Sequence, residues 1–109
     1  IIGKVGDIAK QYKTVMVSLD SNHTHEHVLK ELKGYAPMVT PGSYLVCFDT
    51  IVEHLPDDYL PGRPWKQGDN PKTAVKEFLK GNDSFEVDVD IDNKLLISVA
   101  PGGYLKKIK

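Results

Sequence analysis

Apolar residues fall along this chain in three kinds of spacing. In residues 14–20 and 44–49 they run almost unbroken: Val15, Met16, Val17 and Leu19, then Tyr44, Leu45, Val46, Cys47 and Phe48. Each run closes on an aspartate, Asp20 and Asp49. Short continuous runs of this kind predict strands covered on both faces, as in a parallel sheet. Helical spacing appears three times. Val5, Ile8, Ala9 and Tyr12 predict a short amphipathic helix within residues 1–13. Val28, Leu29, Leu32, Tyr35 and Ala36 predict a second, with Asn22 or Thr24 as its cap and Pro37 ending it. Asn70-Pro71 opens a third, with Ala74, Val75, Phe78 and Leu79 facing inward and Gly81 as a left-handed stop. The third spacing is strict alternation. Phe85, Val87, Val89 and Ile91 alternate with Glu86, Asp88, Asp90 and Asp92, which predicts a half-exposed strand. Asp92-Asn93 then turns the chain into a second strand holding Leu95, Leu96, Ile97 and Val99, so the pair reads as an antiparallel hairpin. Pro101-Gly102-Gly103 interrupts the pattern before Tyr104–Ile108.

Strand, helix and strand with short connections make a βαβ unit, whose strands are parallel and whose crossover is right-handed. The class is therefore α/β. If the two strands are neighbours, about 4.8 Å apart, Asp20 and Asp49 leave the sheet side by side at its carboxyl edge, where open α/β sheets bind ligands.

Composition narrows the partners more than the chemistry. The chain has 109 residues, a formal charge of −1 and a pI near 6.5, which gives no electrostatic reason to expect nucleic acid. No apolar run is long enough to span a bilayer and no signal-peptide pattern opens the chain, so the expected compartment is cytoplasmic. The single cysteine, Cys47, lies within an apolar strand and reads as a buried thiol. The first residues are Ile-Ile, not methionine, and a chain of 109 residues reads as one α/β domain or a piece of one.

Two readings fit the paired aspartates. They hold a hard cation such as Mg²⁺, which takes one or two carboxylates, or each caps the turn after it. Thr50 and Asn22 are weaker oxygen donors nearby. His23, His25 and His27 suggest a transition-metal cluster, but the HExxH spacing is absent. His23, three residues after Asp20, suits a general base, since imidazole changes charge near neutral pH. His25 and His27 read as helix-start residues. The loop of residues 51–69 has three prolines, two glycines and Trp65. It is either a lid that brings Arg63 and Trp65, with Lys66, Tyr59, His54 and Glu53, over a substrate, or a proline-stiffened surface loop with Trp65 packed inward. Glu86, Asp88 and Asp90 read as a solvated strand face.

The blocks LDSNHTHEHVLKEL, GSYLVCFDTIVE and KLLISVAPGGYL resemble the cephalosporin hydroxylase-like or rhamnosyl O-methyltransferase family over nearly the whole chain. The resemblance implies the C-terminal half of a Rossmann-like methyltransferase sheet: two parallel strands with a crossover helix, then a helix and a terminal antiparallel hairpin. It also implies a metal-assisted O-methyltransferase that uses S-adenosylmethionine and acts on a glycan or small-molecule hydroxyl. In the wider group similar to catechol methyltransferases, the acids after the fourth and fifth strands bind Mg²⁺, which by position implies Asp20 and Asp49. Where that group has a lysine base, three residues after the first aspartate, this chain has His23; where it has Asn after the second, this chain has Thr50. Gly3 and Gly6 do not follow a strand and cannot form the glycine-rich cofactor loop. A second expectation, of another class, is a non-catalytic α/β interaction module. In either case half a doubly wound sheet leaves an apolar edge, so a homo-oligomer is expected.

Overall fold

Hydrogen-bonded strands form inside both unbroken apolar runs, though shorter than the runs themselves. The computed structural model describes residues 1–59 and 61–109. Its elements are α1 (Ile2–Ala9), β1 (Val17–Leu19), α2 (His25–Tyr35), β2 (Tyr44–Cys47), α3 (Pro71–Lys80), β3 (Phe85–Val87), α4 (Val89–Leu95) and β4 (Tyr104–Lys107). The sheet order is β1-β2-β4-β3. β1 and β2 are parallel neighbours with Val17 opposite Leu45 and Leu19 opposite Cys47, and β4 runs antiparallel to both β2 and β3. This is the expected α/β arrangement, a crossover pair followed by a helix and an antiparallel hairpin.

The core lies between one sheet face and the packed pair α2 and α3. Leu19, Leu45, Cys47, Phe85 and Leu105 from the strands meet Val28, Leu32, Ala74, Val75 and Phe78 from the helices. Leu32, Leu45 and Leu105 are fully buried, each stabilising the fold by about 1.5–3 kcal/mol. His25 ties the two helices, its Nδ1 2.7 Å from Thr73 Oγ1 and its Nε2 against Glu77. Among the described residues no helix is long and apolar enough to cross a membrane.

Three expectations are corrected. First, β1 is not covered on both faces. Leu19 is buried, but Met16 is 59% exposed and Ser18 is open to solvent, because α2 lies on one side and β1 is the outer strand. The amphipathic α1 does form, yet none of its residues is buried. Second, the hairpin has a different second strand. Asp88 Oδ1 accepts from Ile91 N at 3.2 Å and caps α4, while Tyr44 OH donates to Asp88 Oδ2 at 2.6 Å. That side-chain capping cuts the period-two pattern after Val87. Residues 95–99 stay outside the sheet, and the central position goes to β4, whose Leu105 buries completely. Asp88 is therefore a structural residue, not part of a solvated face. Third, Gly81 ends α3 at φ −102°, ψ 4°, outside the left-handed region. The C-terminal stop is Gly81 N donating to the Phe78 carbonyl.

Candidate active site

The parallel pairing of β1 and β2 brings the two aspartates to one edge. Phe48 N donates to the Leu19 carbonyl at 3.1 Å, carrying the ladder one step past β1. The chain then turns sharply at Asp49, which holds φ 60°, ψ 25° before a 3₁₀ turn over Thr50–His54. Aspartate is among the few residues that tolerate this left-handed conformation. Its side chain makes no capping bond to the turn it precedes. The second reading of Asp49, as a cap, is thus not realised in this geometry.

His23 lies between the carboxylates. Its Nε2 is 3.0 Å from Asp49 Oδ2 and 3.4 Å from Asp20 Oδ1, and one donor atom from each of the three residues lies within 4.8 Å of the others. The side chains are 18% (His23), 29% (Asp49) and 64% (Asp20) exposed. Despite these short distances Nε2 is buried and forms no hydrogen bond, so its approach to both oxygens is close but poorly aligned. Burial pushes the Asp49 carboxyl up, the His23 imidazole pulls it back down, and Asp20 adds to the rise.

The loop bearing Arg63 and Trp65 reaches this site. The Trp65 and His23 rings have centroids 4.8 Å apart at 59°, and the Arg63 guanidinium carbon lies 5.3 Å from the Trp65 ring centroid. Ser21, His23, Asp49, Ile51, Val52, Leu55, Arg63 and Trp65 line a cleft of about 390 Å³, within the usual range of small-molecule pockets, roughly 300–1,000 Å³. The loop's C-terminal stem is pinned. Gly68 N and Asn70 Nδ2 donate to Glu53 Oε1 at 2.8 and 3.1 Å, Gln67 Nε2 donates to the Leu55 carbonyl at 2.8 Å, and Lys66 and Asp69 form a two-way backbone bridge. Asp69 Oδ1 then accepts from His25 N at 2.7 Å, capping α2 from 44 residues away.

Several sequence candidates are used elsewhere. His25 faces α3, and His27 lies near Ser21 and Glu31, so the three histidines do not converge. Thr50 is fully buried with Oγ1 donating to the Pro101 carbonyl, and Asn22 Oδ1 accepts from Thr24 N; neither side chain faces the cleft as a donor. Thr24 occupies the α2 cap position without a side-chain bond. Glu53 serves the loop stem, and Tyr59, His54 and Lys66 are exposed and line no part of the cleft. Asp69, Ser21 and the apolar wall of Ile51, Val52 and Leu55 are additions that sequence spacing did not supply. Asp69 stands directly before the Asn70-Pro71 helix start, the one local sign that it belongs to a cap.

A family model described as "Rhamnosyl O-methyltransferase/CmcI" matches residues 1–108. Curated proteins named "Rhamnosyl O-methyltransferase" from Mycobacterium tuberculosis and Mycobacterium bovis are each 32% identical over 92 residues. The match covers 84% of this chain and 35% of each relative, so the chain spans about a third of their length. No solved structure matches the chain.

Proposed function

The chain belongs to the rhamnosyl O-methyltransferase/CmcI family, and from that premise we propose that it forms the metal and acceptor side of an S-adenosylmethionine-dependent O-methyltransferase acting on a sugar hydroxyl. The observation that carries this reading is the meeting of Asp20, His23 and Asp49 within 4.8 Å, with a buried, unpartnered Nε2 aimed into the group.

The donor set fits a divalent cation. Two carboxylates suit Mg²⁺ and would hold it without His23, which is then left for proton transfer. Asp20 and Asp49 are the residues that hold it. A bound cation there supplies the charge that makes a neighbouring hydroxyl more acidic. The chain's own residues do the rest. Trp65, Ile51 and Leu55 wall the cleft and exclude water from one side, Trp65 fixes the His23 ring, and His23 Nε2 takes the proton of the acceptor hydroxyl. The fit to the methyl donor is different. Gly3 and Gly6 lie in α1, Gly102 and Gly103 pack against Lys72 and Cys47, and among the described residues no strand feeds a glycine-rich turn. We therefore place donor binding outside these 109 residues and assign them no step toward it.

The test is calorimetric titration of the protein with Mg²⁺, and with S-adenosylmethionine in a version extended to the relatives' full length. Mg²⁺ binding lost in both Asp20→Ala and Asp49→Ala is expected. If neither ligand binds, the reading falls and a non-catalytic module takes its place.

A further inference from the structure

We propose that the acceptor carries an anionic group, a carboxylate or a phosphate, and that Arg63 binds it at the rim of the cleft. This rests on the metal reading above, because it depends on the charge of the loaded site.

The first ground is charge. Of the residues lining the cleft, only Asp49, Arg63 and, when protonated, His23 carry charge. Asp20 and Asp49 together balance a divalent ion on the floor. Arg63 is then the one permanent cation among the residues lining the cleft. Among the described residues no carboxylate lies within ion-pair distance of it.

The second ground is geometry. An exposed arginine ordinarily loses much side-chain entropy when it binds a ligand. Here the guanidinium sits over the Trp65 ring at 5.3 Å, a contact that favours one orientation. A guanidinium held over an aromatic ring still carries in-plane N–H donors that can take a carboxylate or phosphate. Trp65 is itself set, by contact with His23 on the inside and by the pinned stem of residues 66–70 on the outside. The Arg63 guanidinium and the His23 ring therefore stand against the same Trp65 ring, so the acceptor's negative group and its reacting hydroxyl meet the cleft at separate points.

Trp65 is the only tryptophan, so its emission reports ligands at this rim. The experiment titrates the Mg²⁺-loaded protein with glucuronate, glucose 6-phosphate, glucose and inorganic phosphate, following Trp65 fluorescence. The expected result is saturable binding of one or both charged sugars, at least about tenfold tighter than glucose or free phosphate, and weakened about tenfold by Arg63→Met. A preference for glucuronate assigns a carboxylate, and one for glucose 6-phosphate assigns a phosphate. Equal binding of glucose, equal binding of inorganic phosphate, or indifference to Arg63→Met overturns the proposal. Asp49→Asn separates it from the metal reading. That variant removes the carboxylate that lines the cleft along with the cation site, leaving only the more exposed Asp20, so an Arg63-dependent preference for the charged sugar persists in it without Mg²⁺. Failure of Mg²⁺ to bind the unmodified protein, with this preference intact, sinks the metal reading alone.

Discussion

His23 Nε2 stands 3.0 Å from Asp49 Oδ2 without forming a hydrogen bond to it. The two atoms are close but misaligned, so the contact is electrostatic and the imidazole nitrogen keeps its lone pair or proton free. His23 comes from the irregular segment after β1, and Asp49 from a left-handed residue after β2. If His23 acts as base and the aspartates as ligands, the two roles separate on mutation. His23→Ala is expected to keep Mg²⁺ affinity within about threefold and to lower methyl transfer by about 10²–10⁴-fold in the full-length enzyme. Asp49→Ala is expected to lose both. Calorimetry beside a transfer assay decides it, and a His23→Ala protein that no longer binds Mg²⁺ would make His23 a third ligand.

Asp49 also links function to stability. Burial and Asp20 hold its carboxyl above the ordinary range, so the folded state binds a proton more readily than the unfolded chain. An acid raised on folding costs stability once pH is above its folded value, and the cost disappears as pH falls below the unfolded value. Asparagine keeps the shape, removes the charge and tolerates φ near 60°. Without divalent cation, Asp49→Asn is therefore expected to raise Tm at pH 7 and to lose that advantage near pH 3. Thermal unfolding at the two pH values measures it; an Asp49→Asn protein less stable at pH 7 contradicts the assigned cause.

The paired aspartates were legible in the sequence because both end unbroken apolar runs, and a βαβ unit has few ways to arrange two such ends. The site's third and fourth partners were legible only in part. His23 is close to Asp20 in sequence, but its packing on Trp65 spans 42 residues of chain and leaves no local spacing to detect. The same holds for Asp69, which caps α2 from the far side of the long loop. The second hairpin strand was misread for another reason. Leu95, Leu96, Ile97 and Val99 are as strand-like as β4, but Asp88 starts a helix before the chain can turn back. Leu96 and Ile97 are left 86% and 91% exposed.

Glu53 gives the opposite pH sign from Asp49. The Gly68 amide holds its carboxyl below the ordinary range; burial opposes it, and the Asn70 amide and the nearby Lys76 and His54 add to the fall. A depressed carboxylate stabilises the fold above its unfolded value and loses that contribution as pH falls through the folded one. Glu53→Gln is expected to destabilise the protein at pH 7 and to match the unmodified protein near pH 3. Since Glu53 anchors the Trp65 loop, the substitution is also expected to shift Trp65 emission toward the red at pH 7. Denaturant melts across pH, with fluorescence read on the same samples, test both; equal stability at pH 7 would show that Glu53 does not pin the loop stem.

Cys47 is packed in the core at 1% exposure, and burial, with Glu31 and Asp49 adding to it, pushes its thiol up to about 12. The thiolate is the nucleophile, so the native thiol is expected to resist iodoacetamide at pH 8 for hours and to react within minutes in denaturant. Mass spectrometry of both samples reads the outcome. Rapid native labelling would show that the strand opens far more readily than its packing implies. Cys47→Ser, which buries a hydroxyl among apolar neighbours, is expected to cost about 1–3 kcal/mol.

The outer edge of β1 bears on whether the protein stands alone. β1 pairs only with β2, and residues 14–19 carry neither a charge nor a proline, the two devices that most often guard a sheet edge. Met16, just before β1, is 59% exposed. Val5, Met16, Val17, Leu19 and Tyr35 also line a groove along the strand, with Ser18 and Glu31 as its polar members. An unguarded edge flanked by apolar side chains favours pairing with another copy of the same strand, giving one continuous sheet with two-fold symmetry. These 109 residues by themselves are therefore expected to sediment above their 12.1 kDa monomer mass at concentrations of tens of micromolar. Met16→Lys puts a charge on that edge without touching the core, and is expected to return the protein to monomer at unchanged Tm. A monomeric unmodified protein under these conditions, or a Met16→Lys protein that still self-associates, would place the contact elsewhere or remove it.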